Sequence, residues 1–186
     1  MPSTTPINIH VGVGNIWVGV TVPSAGNFVP LVSGDPTTGT FVGSTLEPAT
    51  FSHKPKLFDI RTQQSTGVVG FVIVEDELTV EFTVGEITYT NLKNVILGFK
   101  DQGTFVSIGG TIIPVLQSLL IVAPKRSGGG ANIEAMIYSA VIAEDKTFQF
   151  NREGHLAVKV TARSQADTTR SLGDQFGFIH PNVISS

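Results

Sequence analysis

Residues 71–84 read FVIVEDELTVEFTV and contain the clearest structural signal in the chain. Beyond the acidic triplet Glu75-Asp76-Glu77, apolar residues alternate with polar ones: Leu78, Val80, Phe82 and Val84 against Thr79, Glu81 and Thr83. This period of two is typical of a β-strand with one face in the core and the other in water. The triplet is predicted to be a turn, so the stretch is expected to form a hairpin of two strands.

The composition favours the same class of structure. Val, Ile and Thr make up 58 of the 186 residues, and such β-branched side chains suit a pleated sheet better than a helix. With 41% hydrophobic and 15% charged residues the chain has enough apolar surface to fold, and its length suits one domain over residues 1–186. The absence of cysteine excludes disulfides, thiolate metal sites and a cysteine nucleophile.

Further elements follow on both sides of this hairpin. An opening hairpin is predicted over residues 9–22 around Gly14-Asn15, and strands are predicted at 104–108, 115–123, 132–143 and 155–163. A short amphipathic helix is predicted over residues 90–99, because Leu92, Val95, Ile96 and Phe99 share one helical face. The predicted fold class is therefore mainly β, an antiparallel sandwich or barrel with one short flanking α-helix.

Three segments lack a clear period and are interpreted as loops or arms. They are a long inter-strand loop at 54–67, an N-terminal arm at 1–8 and a C-terminal arm at 165–186. The C-terminal arm is polar with isolated Phe176, Phe178 and Ile179, a composition that anchors poorly on its own chain. We expect it to dock on a neighbouring molecule.

Charge and hydropathy limit location and partners. The net charge of −3 argues against a general nucleic-acid binder, which needs a basic face. The opening residues MPSTTPINIH lack the pattern of a secretory signal, and the longest apolar stretch, 111–124, is interrupted by Pro114. We expect a cytosolic or virion-borne protein with no membrane contact.

No residue pattern predicts catalysis. His10, His53, His155 and His180 stand apart from one another, and neither a nucleophile elbow nor a phosphate-binding loop is present. Three adjacent acids do not provide the spaced oxygen ligands of a calcium loop. We expect no catalytic residue, no metal site and no cofactor, and therefore not an enzyme.

Acidic residues are concentrated in one segment. Between Thr62 and Leu92 the chain has five acids and neither Lys nor Arg. The acids are Glu75, Asp76, Glu77, Glu81 and Glu86. Solubility and protection of a strand edge would explain this arrangement, and a functional role is the alternative.

The order of these elements resembles the tail tube proteins of long-tailed bacteriophages. The resemblance lies in GNIWVGVTVP (14–23), VGSTLEPATFSHKPKLFDIRTQQSTG (42–67), VIVEDELTVEFTVGEITYTNLKNVILG (72–98) and HLAVKVTARSQAD (155–167). It covers about 11–98 well and 131–178 loosely, while residues 107–131 align with no expected feature. It implies a β-sandwich with a flanking helix, and six copies in a ring whose sheets join into an inner barrel. Such rings stack into a hollow virion tail, assembled in the host cytoplasm, through which viral DNA passes without specific binding.

The resemblance also implies roles for particular residues. The lumen-lining candidates are Thr79, Glu81, Thr83 and Glu86, because carboxylates repel phosphates and let DNA slide. The candidates for contacts between rings are Lys54, Lys56, Arg61, Gln63, Phe176 and Phe178. The implied partners are further copies of the chain and the other tail proteins, namely the terminator, the tape measure and the distal tail protein.

Two other classes of function stay open at this stage. A capsid-decorating or glycan-binding sandwich shares the fold class, although one Trp and two Tyr provide few rings for stacking on sugars. A tube protein of a contractile secretion system has the same family features, and the sequence does not separate the two kinds of tube.

Overall fold

The computed structural model describes residues 7–11, 13–25, 35–61, 67–85, 99–101, 103, 106–108, 116–123, 132–142, 147–150 and 156–180. These residues form twelve strands: β1 (Ile7–Val11), β2 (Asn15–Val18), β3 (Thr40–Ser44), β4 (Ala49–Ile60), β5 (Gly70–Val84), β6 (Phe99–Asp101), β7 (Val106–Ile108), β8 (Gln117–Ala123), β9 (Ile133–Val141), β10 (Thr147–Phe150), β11 (Leu156–Ser164) and β12 (Gly177–His180). The chain is therefore mainly β, as its composition predicted.

One antiparallel sheet contains most of these strands. Eight of them are neighbours in the order β1-β4-β5-β11-β9-β8-β2-β3, while β10 pairs with β11, β12 pairs with β9, and β6 and β7 form a separate pair. After the end of β3 the chain returns to β5, where Thr45 bridges Val84 and the Leu46 amide donates to the Thr83 carbonyl at 2.9 Å. The strand order that runs from β5 to β3 thus leads back to β5 through this bridge.

The core lies on the face that these strands share. Ile16, Val42, Phe82, Ile121 and Ile137, each from a different strand, are almost fully buried there. In β5 the predicted alternation is confirmed over residues 80–84, where Val80, Phe82 and Val84 are buried and Glu81 is exposed, but Thr79, predicted for the wet face, is buried. Strands β8 and β9 also bury their opposite face in a second cluster, which explains why they are apolar almost throughout.

The predicted opening hairpin at 9–22 is wrong. β1 pairs with β4, whereas β2 pairs with β3 and β8. Gly14 is required for close approach rather than for a tight turn, because a Cβ there would lie 2.5 Å from the Val122 carbonyl oxygen.

The predicted acidic turn and the first half of the predicted 54–67 loop are wrong as well. Residues 70–84 form one continuous strand, and 49–60 form its partner, so 54–60 is strand. The acidic triplet lies opposite Lys54-Pro55-Lys56, and these cross-strand pairs of opposite charge stabilise an extended conformation in both segments. Residues 62–66 lie outside the described residues.

The predictions of the terminal arms and of the helix have different outcomes. Ile7 and Asn8, assigned to an N-terminal arm, belong to β1. Residues 177–180 of the predicted C-terminal arm form β12, which pairs with β9 of the same chain because backbone hydrogen bonds to that strand are available there. The predicted helix at 90–99 lies outside the described residues except for Phe99, which begins β6.

Candidate functional site

The outer half of the β4–β5 hairpin extends past the described parts of the neighbouring strands β1 and β11. β1 pairs with β4 only up to His53, and β11 pairs with β5 only along residues 79–84. Among the described residues, no strand pairs with the outer edges of 54–60 and 70–78, which we call the distal hairpin. An isolated two-stranded ribbon is only marginally stable in water, and free edges are sites for association.

A groove lies where the distal hairpin joins the sheet. It has a volume of about 840 Å³ and is bounded on one side by residues of β4 and β5, including Phe51, His53 and Ile73. The other side is formed by residues 172–179, including Phe176 and Phe178. His53 Nε2 lies 2.5 Å from Asp76 Oδ1 on the groove wall. Most of the lining is apolar, which suits contact with another apolar surface.

The end of the distal hairpin carries exposed apolar side chains on both faces. A bulge in β5 at the step from Lys56 to Leu57 resets the pairing, after which Leu57 lies opposite Ile73 and Phe58 opposite Val72. Strand alternation then places Leu57, Phe71 and Ile73 on the face that continues the groove, and Phe58, Ile60 and Val72 on the other. We call these the groove face and the outer face. Phe58 is 62% exposed and Phe71 56%, far beyond the scattered single residues of an ordinary surface.

The second wall of the groove is supported by a loop that lies between two segments pairing with the same edge of β9. The Gln165 amide donates to the Ser139 carbonyl at 2.7 Å, and the Tyr138 amide donates to the Phe176 carbonyl at 3.0 Å. β11 and β12 therefore follow the same edge of β9, and residues 166–175 leave that path and return to it. A hydrogen bond of 2.9 Å from the Asp167 amide to the Gln175 carbonyl closes the neck of this 166–175 loop.

Arg170 holds the 166–175 loop against the sheet. Its Nη1 lies 2.9 Å from Asp174 Oδ2, its Nε lies 3.4 Å from Asp167 Oδ2, and its Nη2 donates to the Pro23 carbonyl. The guanidinium also stacks 3.8 Å from the centroid of the Tyr138 ring. Only 9% of the Arg170 side chain is exposed, so these contacts are well shielded from water. The tip of the loop presents Leu172, which is 92% exposed, at the rim of the groove.

The Tyr138 hydroxyl belongs to the same network and is perturbed by it. It donates to Asp174 Oδ1 at 2.6 Å. Burial raises the pKa of Tyr138 from 10.0 to about 12, with further contributions from the hydrogen bond to Asp174 and the charge of that carboxylate. Arg170 acts in the opposite direction, because a cation favours the phenolate. The pKa of Asp167 is lowered, mainly because the Thr169 side chain and amide donate to it.

This perturbation predicts a pH dependence. Above pH 10 the unfolded phenol releases its proton while the folded one retains it, so the stabilisation is complete below pH 10 and is lost as the pH rises towards about 12. The measurement is the ultraviolet absorbance of phenolate in the wild type minus that in Tyr138→Phe, which retains the second tyrosine. A midpoint close to 10.0 for the difference curve would contradict the network.

The polar face of β5 carries charges of both signs. Glu81 Oε2 lies 2.9 Å from Lys159 Nζ, Glu77 Oε1 lies 3.6 Å from Arg163 Nη1, and Lys56 pairs with Glu75 at 3.0 Å. The hydrogen bond and the charge of Glu81 raise the pKa of Lys159. The acidic excess counted along the chain is therefore offset in space by bases on β4 and β11.

The described residues predicted for the lumen share this face but differ in exposure. Glu81 is exposed and Thr83 is half-buried, whereas Thr79 is buried and its Oγ1 lies 3.5 Å from the Ser52 carbonyl. Glu86 lies outside the described residues. A lumen role for these positions stays a prediction.

The residues predicted for contacts between rings fall into two groups. Lys54, Lys56 and Arg61 lie on or next to the distal hairpin, and Gln63 lies outside the described residues. Phe176 and Phe178 line the groove, and Phe178 also packs on the Tyr138 ring of its own chain with centroids 6.2 Å apart. The C-terminal segment up to His180 thus docks on its own sheet, because the 166–175 loop brings β12 back to β9.

The sequence analysis missed the two features that define this region. The Arg170 network was not predicted, although Asp167 followed by Thr169 is a spacing typical of an Asx turn. The apolar faces of the distal hairpin were also missed, because side chains exposed on both faces produce no period of two.

Scanned against protein-family models and against curated proteins, the chain matches none of them. Within the described ranges, no group of three His, Asp or Glu side chains is placed to hold a metal ion. The same residues include no helix with the length and hydropathy needed to cross a bilayer. Fold and site together define an antiparallel β protein with a projecting apolar hairpin and an adjacent apolar groove.

Proposed function

We propose that this chain is a self-assembling structural protein, the tail tube protein of a long-tailed bacteriophage. The observation that supports this most is the distal hairpin, whose apolar side chains on both faces are exposed in a single copy. Full burial of one exposed Phe, Leu, Ile or Val contributes about 1.5–3 kcal/mol. Six such residues on each copy provide a strong drive to associate, repeated at every contact of a polymer.

The proposed architecture extends the observed sheet. The return of the chain from β3 to β5 supports a closed barrel in each copy, with the helix predicted at 90–99 packed outside it. Six copies form a ring, rings stack through the distal hairpin, and viral DNA passes through the tube without specific binding. The cross-strand ion pairs of β5 suit passage, because charges of mixed sign give a polyanion no continuous basic surface to bind.

The proposal includes partners and location. The chain would assemble with further copies of itself and with the terminator, tape measure and distal tail proteins, in the virion tail and without membrane contact. It would act as a conduit without catalysis, metal or cofactor. A decorating or glycan-binding module and the tube of a contractile secretion system are the rival functions that the experiment must separate.

The test is assembly of the purified protein. We expect wild-type protein at high concentration to form six-fold rings or tubes by negative-stain microscopy, and sedimentation velocity to show a mass that rises with concentration. Phe58→Glu should remain monomeric, because a charge replaces a side chain that needs cover. Val13→Glu is the matched control: Val13 is also an exposed apolar side chain, but it lies away from the hairpin, so the substitution should leave assembly unchanged.

Three results would reject the tube proposal. Wild-type protein that stays monomeric at all concentrations and salt conditions would remove self-assembly. Compact trimers that bind capsids would favour a decorating module, and glycan binding by a monomer would favour a lectin. Tubes found only inside a contracting sheath would favour the secretion-system alternative.

A further inference from the structure

The groove is an opening between two strands rather than a depression on one face of the sheet. Its lining includes Leu78 and Ile179, which pack against the main core cluster, while Met136 and Phe178 lie with the second cluster on the opposite face. A depression would be lined by the side chains of one face alone, because successive residues of a strand point to opposite faces. The sheet is therefore split between β5 and β12 at this point.

The split begins where β11 ends. β11 lies between β5 and β9, and its Arg163 is paired with Thr79 on one edge and with Val141 on the other. Beyond this point the 166–175 loop leaves the sheet and β12 returns to β9, whereas residues 70–78 pair only with β4 among the described strands. The two strands that β11 holds together thus continue without a described strand that joins them.

The backbone of β5 presents hydrogen-bonding groups to this split. The Thr83 carbonyl accepts from Leu46 on the edge that faces β4, because the other edge at Thr83 is paired with β11. The N–H and C=O of successive strand residues point to opposite edges, so the even-numbered residues from Val84 back to Asp76 face the edge that β11 occupies. Past the end of β11 this edge continues with Leu78 and Asp76, and both residues line the groove.

The backbone of β12 presents such groups from the other side. The Phe176 carbonyl accepts from the Tyr138 amide, so the backbone of Phe176, and that of Phe178 and His180 at alternate positions after it, faces β9. The N–H and C=O of Ile179 accordingly point away from β9, towards the edge that lines the groove. The groove is therefore bordered by two strand edges, each with donors and acceptors directed into it.

We propose that the groove receives an extended segment of another protein, which enters as an additional strand between β5 and β12. Its backbone bonds to Leu78 and Asp76 on one side and to Ile179 on the other, in the manner of β-strand addition. β5 and β12 run in opposite directions, since β5 and β9 are both antiparallel to β11 and β12 is antiparallel to β9. The segment is therefore antiparallel to one wall and parallel to the other.

The side chains around the groove specify the chemistry of this segment. An inserted strand turns alternate side chains to opposite faces, and both of its faces meet apolar surroundings here. Phe51 and Leu78 lie on the core face, and Met136 and Phe178 lie on the other. The segment is therefore apolar at consecutive positions and rich in Val or Ile, as strands buried on both faces are.

Charge is not what selects the segment, and no described strand of a second copy fits the same place. Among the charged lining groups, Glu75 pairs with Lys56 and Asp76 lies beside His53. A strand between two walls needs both of its own edges for pairing, whereas each described strand already pairs on at least one edge. The occupant is thus a single extended segment of a separate polypeptide. This inference goes beyond the proposed self-assembly and does not depend on it.

The test measures binding of synthetic peptides to the full-length protein by fluorescence anisotropy, at concentrations where sedimentation velocity shows monomers. The probe is a fluorescein-labelled peptide of sequence KSVIVIVSK, whose lysines lie outside the apolar run and keep it soluble. Two control peptides carry N-methyl groups on alternate amides of the run, one on the odd positions and the other on the even positions. Each control loses the donors of one edge and keeps every side chain.

We expect the probe to bind with 1:1 stoichiometry and each N-methylated control to bind at least about tenfold more weakly, because each loses its bonds to one wall. Ile179→Pro removes an amide that faces the groove and no bond to β9, so it should also weaken binding. Leu172→Ser is the matched control, since Leu172 lines the groove but is 92% exposed and lies outside both strands. It should leave binding unchanged.

Hydrogen exchange followed by nuclear magnetic resonance provides a second readout on the wild-type protein, which does not depend on whether Ile179→Pro folds. The amides of Asp76, Leu78 and Ile179 should exchange rapidly without the probe and slowly when the probe is bound. Slow exchange of these amides without the probe would overturn the inference, because it would show that the two edges are already paired.

The binding data can also overturn the inference in distinguishable ways. Weakening by only one N-methylated control would indicate a strand added to a single edge, and equal binding of all three peptides would indicate apolar contact without strand pairing. No saturable binding would reject the site, and tighter binding of PNVISS, residues 181–186 of this chain, would indicate a second copy as the occupant. None of these results bears on wild-type assembly, whose failure would reject the proposed function alone.

Discussion

Replacement of Arg170 by alanine is expected to lower the free energy of unfolding by about 3 kcal/mol. The side chain is nearly buried, contacts two carboxylates and the Pro23 carbonyl, and covers the Tyr138 ring. Its removal leaves Asp174 without its cation next to a buried phenol, and breaking a shielded ion pair from one side typically costs about 3–5 kcal/mol, less where the partners are partly exposed. Chemical denaturation followed by circular dichroism gives the value.

Two variants and a titration make the Arg170 prediction specific. Arg170→Lys keeps the charge but loses the planar stack and the forked donors, so its free energy of unfolding should lie between those of wild type and Arg170→Ala. Thr168→Ala changes an exposed residue of the same loop and should shift stability by less than about 0.5 kcal/mol. In Arg170→Ala the pKa of Tyr138 should rise further, because the lost cation favoured the phenolate. A stability equal to that of Thr168→Ala would refute the role of Arg170.

The variant Gly177→Ala is expected to detach β12 from β9. A Cβ at this position would lie 2.0 Å from the Met136 carbonyl oxygen, which belongs to the backbone of the central strand and has no room to move. We expect a loss of about 1–3 kcal/mol, the usual range for overpacking, and faster hydrogen exchange along 133–141. The matched control is Gly70→Ala, where the nearest atom to the new Cβ is Ile60 Cδ1 at 3.8 Å. Equal exchange in the two variants would contradict the close packing of β12.

The parts of the fold that follow from local pattern were predictable. The second half of β5 alternates because one face packs on the core and the other meets water, so Leu78 to Val84 give the strand directly. β8 and β9 were located from their apolar runs and flanking turns. In each case the signal lies within a few neighbouring residues.

The distal hairpin could not be read in this way. Glu75-Asp76-Glu77 resembles a turn by composition, and only the pairing with Lys54-Pro55-Lys56 across the hairpin makes it a strand. Residues 57–60 show no apolar–polar alternation, because the apolar side chains Leu57, Phe58 and Ile60 are exposed on both faces of the ribbon. A period of two requires one buried face, so it gives no signal where the side chains on both faces are exposed.

The Arg170 network depends on contacts between distant parts of the chain. Arg170 meets Pro23 near the start and Tyr138 on β9, and neither neighbour is visible in the local sequence. The polar character of 165–175 was interpreted as an arm for that reason. Those polar side chains bond to one another, and this is what allows a hydrophilic segment to stay on its own sheet.

The pairing of β2 with β8 determines the order in which this chain can be completed during synthesis. β1 and one edge of β2 find partners by residue 53, but the other edge of β2 pairs Asn15 with Val122, more than a hundred residues later, and must wait for a strand that has not yet been made. The β4–β5 hairpin, in contrast, joins neighbouring segments and can form as soon as residue 84 has emerged. The exposed apolar surface of the hairpin thus forms before the core is complete. During that interval it can contact other nascent chains on the same messenger RNA. Rapid translation through residues 85–123 would shorten this interval, and slow translation there would favour premature aggregation over ordered growth.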